Sequence, residues 1–101
     1  LDNPVKLNYY VEDLPELAWD LVELADKPLT IIYDNARNVA ANLIAPDGTL
    51  AIRITNERFS NKLCKRFRKA IVSTSANVSG ESSPQCFDEI TKEIKGKVDY
   101  M

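Results

Sequence analysis

The chain has 101 residues, of which 45% are hydrophobic and 28% charged, with a formal net charge of −2. This composition is typical of one globular domain or part of one, and no apolar run approaches the ~20 residues of a membrane span. We therefore expect a soluble, cytoplasmic protein without a membrane partner. The chain contains no histidine, which excludes Ser-His-Asp and Cys-His catalysis and histidine metal sites. Any chemistry must use hydroxyls, amides, arginines and backbone groups.

The first predicted element is a helix in the stretch EDLPELAWDLVELADKP, residues 12–28. Asp13 is a residue type that caps helices, Pro15 suits the first turn, and Glu16 completes a capping box. Pro28 ends the helix. Apolar residues three and four positions apart predict one buried stripe, formed by Leu17, Leu21, Leu24 and Ala25.

Strands and helices then alternate. We expect a buried strand at residues 28–33, an irregular or short helical connection with a turn at Asp47-Gly48, and a second strand at residues 49–54. A helix follows in ERFSNKLCKRFRK, residues 57–69. Its predicted buried residues lie four positions apart and are Phe59, Leu63 and Phe67.

The last third of the chain is expected to add a strand at residues 70–74, a helix and a strand beginning at residues 96–100. Ser83 would cap that helix and Pro84 would begin it, with four buried residues, Cys86, Phe87, Ile90 and Ile94. Both cysteines, Cys64 and Cys86, then fall on inner helix faces, which predicts free buried thiols. The order of elements predicts an α/β fold with ligands at strand ends.

Charges are distributed unevenly along the chain. Residues 1–26 carry seven acids and one base, whereas residues 53–69 carry seven bases and one acid. A basic helix most often presents a solvated face; the alternative is an RNA-contacting patch, since clustered bases provide affinity for phosphates of any sequence. The candidate RNA contacts are Lys62, Lys65, Arg66, Arg68 and Lys69.

Small polar residues follow the predicted strand at residues 70–74, in the stretch AIVSTSANVSGESSP. Hydroxyls and amides can donate to phosphate oxygens, and a helix beginning at Pro84 would aim its positive end at the same region. The stretch is not a P-loop, because it lacks the G-x-x-x-x-G-K-[ST] pattern. A polar ligand-binding loop and a structural turn rich in capping residues both remain open.

Arg53 stands alone in the alternating apolar strand TLAIRI. One interpretation is a solvent-facing residue or a structural ion pair; the other is a guanidinium clamp for a carboxylate or phosphate. Thr49 lies four residues earlier and on the same strand face, so it could face the same ligand.

The stretches KPLTIIY, GTLAIRI and IVSTSANVSG together resemble the later two-thirds of a YrdC-like domain, and the motif STSAN-x-SG is specific to that context. The resemblance covers about residues 5–100. It implies a twisted, mixed and mostly parallel sheet with flanking helices. It also implies the synthesis of threonylcarbamoyl-AMP from L-threonine, bicarbonate and ATP, for the threonylcarbamoyl modification of tRNA adenosine.

The same resemblance implies roles for individual residues. Ser75 and Asn77 match the S-x-N of the family signature and would be the catalytic pair. The ATP-binding set would be Thr49, Ser75, Asn77 and Ser83, while Arg53 and Ser73 would bind threonine. ATP would enter as substrate with Mg²⁺, and no metal site formed by protein residues is expected. Other proteins of threonylcarbamoyl transfer, and tRNA or double-stranded RNA, are the implied partners.

Three departures from the family pattern qualify the resemblance. Lys27 stands where the family usually has glycine, and neither the K-x-R nor the P-T-[DE]-T of the family is present. We therefore expect residues 1–101 to be a single partial YrdC-like domain, truncated at both ends, with about half of the active site and with homodimerisation through an open sheet edge. Whether such a fragment is itself an enzyme stays open. The alternative function is a YrdC-like paralogue that binds RNA or nucleotides without the synthesis.

Overall fold

The computed structural model describes all residues from 1 to 101, in two compact units, residues 1–71 and residues 72–101. In chain order the helices and strands are α1 (Leu7–Tyr10), α2 (Glu16–Leu24), β1 (Thr30–Tyr33), β2 (Leu50–Arg53), α3 (Arg58–Phe67) and α4 (Lys92–Lys95). Short 3₁₀ segments lie at Pro4–Lys6, Ala41–Leu43 and Phe87–Glu89. The chain is of mixed α/β class. None of its helices has the length and apolarity to cross a membrane.

The sheet consists of β1 and β2, paired antiparallel, with Thr30 opposite Arg53 and Tyr33 opposite Leu50. Both strands lie within the segments predicted for them. Their side chains alternate between an inner face and an exposed face, as expected for a sheet covered on one side. The structure therefore does not confirm a mostly parallel sheet or the YrdC-like arrangement of strands.

The core of the first unit lies between α1, α2 and the inner face of the sheet. Leu7 is fully buried, and Tyr10 and Tyr33 are nearly so. The hydroxyl of Tyr10 accepts a hydrogen bond from the amide of Ala70 at 3.0 Å. The cluster is completed by Leu1, Val11 and Ala18, with half-buried Val22, Ile31 and Ile52 against it. This core fixes the inner face of β2 and leaves its outer face to solvent.

Helix α2 lies where it was predicted, but it buries a different face from the predicted one. It packs through Ala18 and Val22, while Leu17, Leu21 and Leu24 of the predicted buried stripe are exposed. Both faces repeat at helical spacing, so periodicity could not decide between them. The predicted capping box is also wrong. Pro15 occupies the N-cap without a side-chain hydrogen bond, and Asp13 lies in the left-handed region with φ of 53°.

Helix α3 shows the same reversal. The predicted buried residues, Phe59, Leu63 and Phe67, are exposed, and the helix buries Cys64 instead. The side-chain nitrogen Nδ2 of Asn61 anchors α3 by donating to the main-chain oxygens of Asp2 and Thr55, at 3.1 and 2.8 Å. The inward face of α3 is thus its small and polar face.

The second unit, residues 72–101, contains no strand, so the strands predicted at residues 70–74 and 96–100 are wrong. A β-branched run forms a strand only when a neighbour pairs with it, and neither segment has one here. The long helix from Pro84 is also wrong, because only Phe87–Glu89 and Lys92–Lys95 are helical. Cys86 and Phe87 are exposed as a result, whereas both cysteines are free, as expected.

Candidate functional site

The motif STSANVSG, residues 73–80, forms a loop that Asn77 holds together. Its amide nitrogen Nδ2 donates to the main-chain oxygens of Val78 and Glu81, each at 3.0 Å. The amide of Glu81 donates back to the oxygen of Val78 at 3.0 Å, which closes a four-residue turn. Gly80, the third residue of that turn, has φ of 86°, a conformation that favours glycine. The loop therefore has its own internal scaffold.

The amide oxygen of Asn77 has no partner. Oδ1 is buried from solvent and accepts no hydrogen bond within the chain. A buried acceptor without a donor costs free energy, so such atoms are rare in native proteins. The two polar atoms of the Asn77 side chain thus differ. Nδ2 forms the hydrogen bonds that hold the loop, whereas Oδ1 is a buried acceptor without a hydrogen-bond donor.

The serines of the loop are in a different state. Ser73, Ser75 and Ser83 are exposed, and none of their hydroxyls forms a hydrogen bond within the chain. A free hydroxyl can donate one hydrogen bond and accept others. These three predicted site residues are therefore available to a polar ligand, and all of them lie in the second unit with Asn77.

A helix N-terminus does not reinforce this loop. Ser83 caps no helix; the short 3₁₀ segment after it begins at Phe87 and has Cys86 at its N-cap. Ser83 and Pro84 instead lie in irregular chain. No helix N-terminus therefore supports a phosphate site at the loop, and the groups it can offer a ligand are its hydroxyls and amides.

Arg53 lies at the end of β2 on the exposed face of the sheet. Its guanidinium takes part in neither ion pair of the chain, Lys6–Asp2 or Lys97–Glu93. The interpretation as a structural ion pair is therefore excluded within this chain. A guanidinium left free in this way can bind a carboxylate bidentately.

Thr49 precedes β2 by one residue and is held in a turn. Its hydroxyl donates to Oδ1 of Asp47 at 2.7 Å, and its amide donates to the same oxygen at 3.1 Å. The hydroxyl bond, followed by the amide bond, lowers the pKa of Asp47 below its ordinary value. Thr49 keeps its acceptor lone pairs, but its proton is already engaged. Thr49 and Arg53 both belong to the first unit.

The five candidate RNA contacts lie on or just after α3. Lys62, Lys65 and Arg66 project from the helix, Arg68 forms its C-cap with φ of 62°, and Lys69 follows. All are exposed, and none forms an ion pair within the chain. Bases in the last turn are favoured by the helix dipole. The structure thus presents a basic surface whose charges are not neutralised internally.

Glu57, the one acid of this basic segment, caps α3. Its carboxylate accepts hydrogen bonds from the amide of Ser60 at 2.8 Å, the amide of Phe59 at 2.9 Å and the Ser60 hydroxyl at 2.8 Å. These bonds, the one from the Ser60 amide first, lower the pKa of the Glu57 carboxyl below its usual range. Glu57 therefore serves α3 and is not free for a ligand.

Three contributors were missed by sequence reasoning: Asp47, Glu57 and the main-chain oxygen of Glu81. Two of them carry a local signal. Asp47-Gly48-Thr49 is the spacing of an Asx turn, and Glu57 stands three residues before Ser60 at a helix start. The contact from Asn77 to Glu81 has no such signal, because it depends on the path of the turn between them.

No group of three or more His, Cys, Asp or Glu side chains that could hold a metal is found in the chain. The donor set of the loop consists of hydroxyls and amides, which suit phosphate oxygens better than a bare cation. Mg²⁺ accompanying a nucleotide can take most of its ligands from phosphate and water. The loop is thus compatible with a magnesium–nucleotide complex as substrate.

The motif lies in a chain that matches a known family along its whole length. The family model Sua5_yciO_yrdC, described as "Telomere recombination", matches residues 1–101. The chain belongs to the Sua5/YciO/YrdC family. The resemblance read from its motifs is thereby confirmed.

Two relatives match nearly the whole chain. The threonylcarbamoyl-AMP synthase of Pseudoalteromonas translucida (strain TAC 125) is 30% identical over 98% of this chain and 54% of the relative. The putative threonylcarbamoyl-AMP synthase of Methanocaldococcus jannaschii is 35% identical over 98% of this chain and 44% of the relative. The chain thus spans about half the length of these relatives. No solved structure matches it significantly.

Proposed function

We propose that the protein containing these residues synthesises threonylcarbamoyl-AMP. The substrates are L-threonine, bicarbonate and ATP, and pyrophosphate is released; the product serves the threonylcarbamoyl modification of tRNA adenosine in the cytoplasm. The observation that carries the proposal is the STSANVSG loop, with free hydroxyls at Ser73 and Ser75 and an unpartnered acceptor at Asn77. The names of the relatives point to the same reaction.

The proposed reaction requires positioning more than proton transfer. The amino group of threonine takes up bicarbonate to form a carbamate, with loss of water. A carbamate oxygen then attacks the α-phosphorus of ATP, the bond from that phosphorus to the bridging oxygen breaks, and pyrophosphate leaves with the electron pair. Holding the two reactants in line and stabilising charge can supply most of the acceleration.

The residues of the second unit are assigned to the nucleotide. In the proposal the Ser75 hydroxyl donates to a phosphate oxygen, and Ser83 adds a second donor. Oδ1 of Asn77 accepts a hydrogen bond from the substrate, which would satisfy the atom that the chain leaves without a partner. Mg²⁺, arriving with ATP, neutralises phosphate charge.

The residues of the first unit are assigned mainly to the amino acid. Arg53 binds the threonine carboxylate, because its guanidinium is exposed and unpaired. Ser73 keeps the threonine-binding role that the family resemblance implies. Thr49 can only accept from ATP unless its bond to Asp47 opens, since its hydroxyl proton is engaged there.

The exposed bases of α3 support an additional partner. Lys62, Lys65, Arg66, Arg68 and Lys69 would contact tRNA or double-stranded RNA through phosphates. Such contacts, and contacts with other proteins of threonylcarbamoyl transfer, would bring the product near its acceptor.

The test uses the complete protein incubated with ATP, L-threonine and bicarbonate, with threonylcarbamoyl-AMP and pyrophosphate measured by mass spectrometry. We expect product from the wild type and a loss of about 100-fold or more in the Ser75→Ala/Asn77→Ala variant, since removing a group that positions or stabilises the reacting centre costs about that much. Ser82→Ala is the matched control, an exposed hydroxyl just outside the motif, and should keep full activity.

A folded wild type that binds ATP but yields no product would contradict the proposal. It would instead favour the paralogue that binds RNA or nucleotides without this synthesis. Full activity in the double variant would contradict the assignment of the loop, even if the synthesis itself is confirmed.

A further inference from the structure

Two helices of the first unit expose apolar rows that its core does not use. On α2 the row is Leu17, Leu21 and Leu24, which are 66%, 44% and 82% exposed. On α3 it is Phe59, Leu63 and Phe67, which are 69%, 45% and 56% exposed. Isolated exposed apolar residues are ordinary, but a row at helical spacing forms a contiguous surface. Because both rows are exposed in one copy, they do not cover each other within the chain.

Each apolar row is flanked by a row of charge, and the two charges are opposite. The α2 row has acids beside it, Glu16, Asp20 and Glu23; the α3 row has bases beside it, Arg58, Lys62 and Arg66. All six charged side chains are exposed, and none belongs to either ion pair of the chain. On α3 the three bases, together with Phe59, Leu63 and the capping acid Glu57, line one shallow groove along the helix.

The geometry of the rows favours one relative orientation of the two helices. In each helix the charged residue stands one position before its apolar neighbour, so the charged row lies on the same side of the apolar row in both. When two such helices pack face to face, the antiparallel orientation brings both charged rows to the same edge of the interface. Acids then face bases beside an apolar seam, as in charge-matched helix pairs.

We propose that these faces form an interface between copies of this chain, with α2 of one copy in the α3 groove of a second copy. The second copy is the occupant because it supplies the apolar row and the opposite charge that the groove requires. The interface uses Lys62 and Arg66 of the proposed RNA surface and leaves Lys65, Arg68 and Lys69 outside it. It does not depend on the catalytic proposal.

The first measurement is the weight-average mass of the chain by sedimentation equilibrium over a range of concentrations. We expect the mass to rise from that of a monomer with concentration, and the rise to weaken in high salt because exposed charge pairs are screened. A mass that stays monomeric at every concentration overturns the proposal.

Charge reversal then tests which faces meet. Glu16→Lys/Asp20→Lys reverses two acids of the α2 row, and Lys62→Glu/Arg66→Glu reverses the two bases that face them in the antiparallel pair. Each variant alone should associate at least about tenfold more weakly, because like charges now face each other. An equimolar mixture of the two variants should regain association, since each reversed row meets an opposite one. Asp88→Lys/Asp99→Lys changes the net charge as the α2 variant does, but outside both faces, and should associate like the wild type.

Three results would overturn the assignment of the faces. These are wild-type association in both reversed variants, failure of their mixture to regain association, and an equal loss in the Asp88→Lys/Asp99→Lys control. Helix content by circular dichroism accompanies each measurement, so that a loss of association is assigned to the interface only in folded chains.

Discussion

The two units of the chain are organised in different ways. Residues 1–71 pack α1, α2 and one sheet face around a fully buried Leu7, and contacts between distant parts of the sequence hold them together. Residues 72–101 contain no strand and no buried residue, and their hydrogen bonds join residues at most four positions apart. The sheet with its core thus lies in the first unit, whereas the family motif STSANVSG lies in a unit without a buried core.

That difference has a consequence for function. Arg53 is placed by a sheet with a core behind it, whereas Asn77 is held by its hydrogen bonds to the main chain of a local turn. A site on a regular element is held more tightly than one on a loop. We expect the geometry around Arg53 to resist perturbation and the geometry around Asn77 to depend on its own two hydrogen bonds.

The largest effect should come from the core of the first unit. Leu7→Ala removes a fully buried side chain and should lower the free energy of unfolding by about 2–5 kcal/mol. Leu24→Ala is the matched control at 82% exposure and should cost under about 1 kcal/mol. Urea denaturation followed by circular dichroism measures both.

A substitution in the second unit tests whether its side chains contribute less to stability than those of the first unit. Phe87→Ala removes a larger side chain than Leu7→Ala, together with the contact of Lys95 over its ring at 4.2 Å. We still expect a loss of no more than about 1 kcal/mol, because Phe87 is exposed. A loss as large as that of Leu7→Ala would contradict the absence of a buried core in residues 72–101.

A smaller effect concerns the cap of α3 and its dependence on pH. The pKa of Glu57 is lower in the folded chain than in the unfolded one, so its contribution to stability is present above the unfolded pKa of about 4.3. That contribution is lost as the pH falls through the lower folded pKa. Glu57→Gln should therefore be less stable than the wild type at pH 7, and the gap should close in acid.

The matched control for the cap is Glu81→Gln, which changes a carboxylate that accepts no hydrogen bond. Its stability difference from the wild type should stay small over the same pH range. Thermal unfolding at pH 7 and at steps down to about pH 3 compares the variants, a range that spans the ordinary carboxyl pKa values. A constant gap for Glu57→Gln would contradict the role of the carboxylate.

The sequence predicts the first unit better than the second. Strands β1 and β2 and helices α2 and α3 lie where pattern and propensity indicate them, because each has a partner within residues 1–71. The run at residues 70–74 has the composition of a strand but no partner here, and pairing cannot be read from one segment alone. The prediction of which α2 face is buried was wrong, because Ala18 and Val22 repeat with the same helical spacing as the leucines.

The candidate site was predictable in its residue types and less so in its geometry. The motif around Ser75 and Asn77 identified the family, and the alternation of β2 placed Arg53 on one face. Two hydrogen bonds depend on turn conformations that residue spacing only suggests. In one, Nδ2 of Asn77 donates within its own loop; in the other, Thr49 donates to Asp47. The helix predicted from Pro84 does not form, so no helix dipole points at the motif.

The most direct test of the account is a pair of kinetic measurements on the complete protein. Arg53→Gln should raise the KM for L-threonine by about tenfold or more, as the loss of a charge-assisted hydrogen bond does, and leave the KM for ATP nearly unchanged. Asn77→Ala should act mainly on ATP. Separate effects on the two substrates would support the division of tasks between the units. Equal effects of both variants on both substrates, or no effect of either, would contradict it.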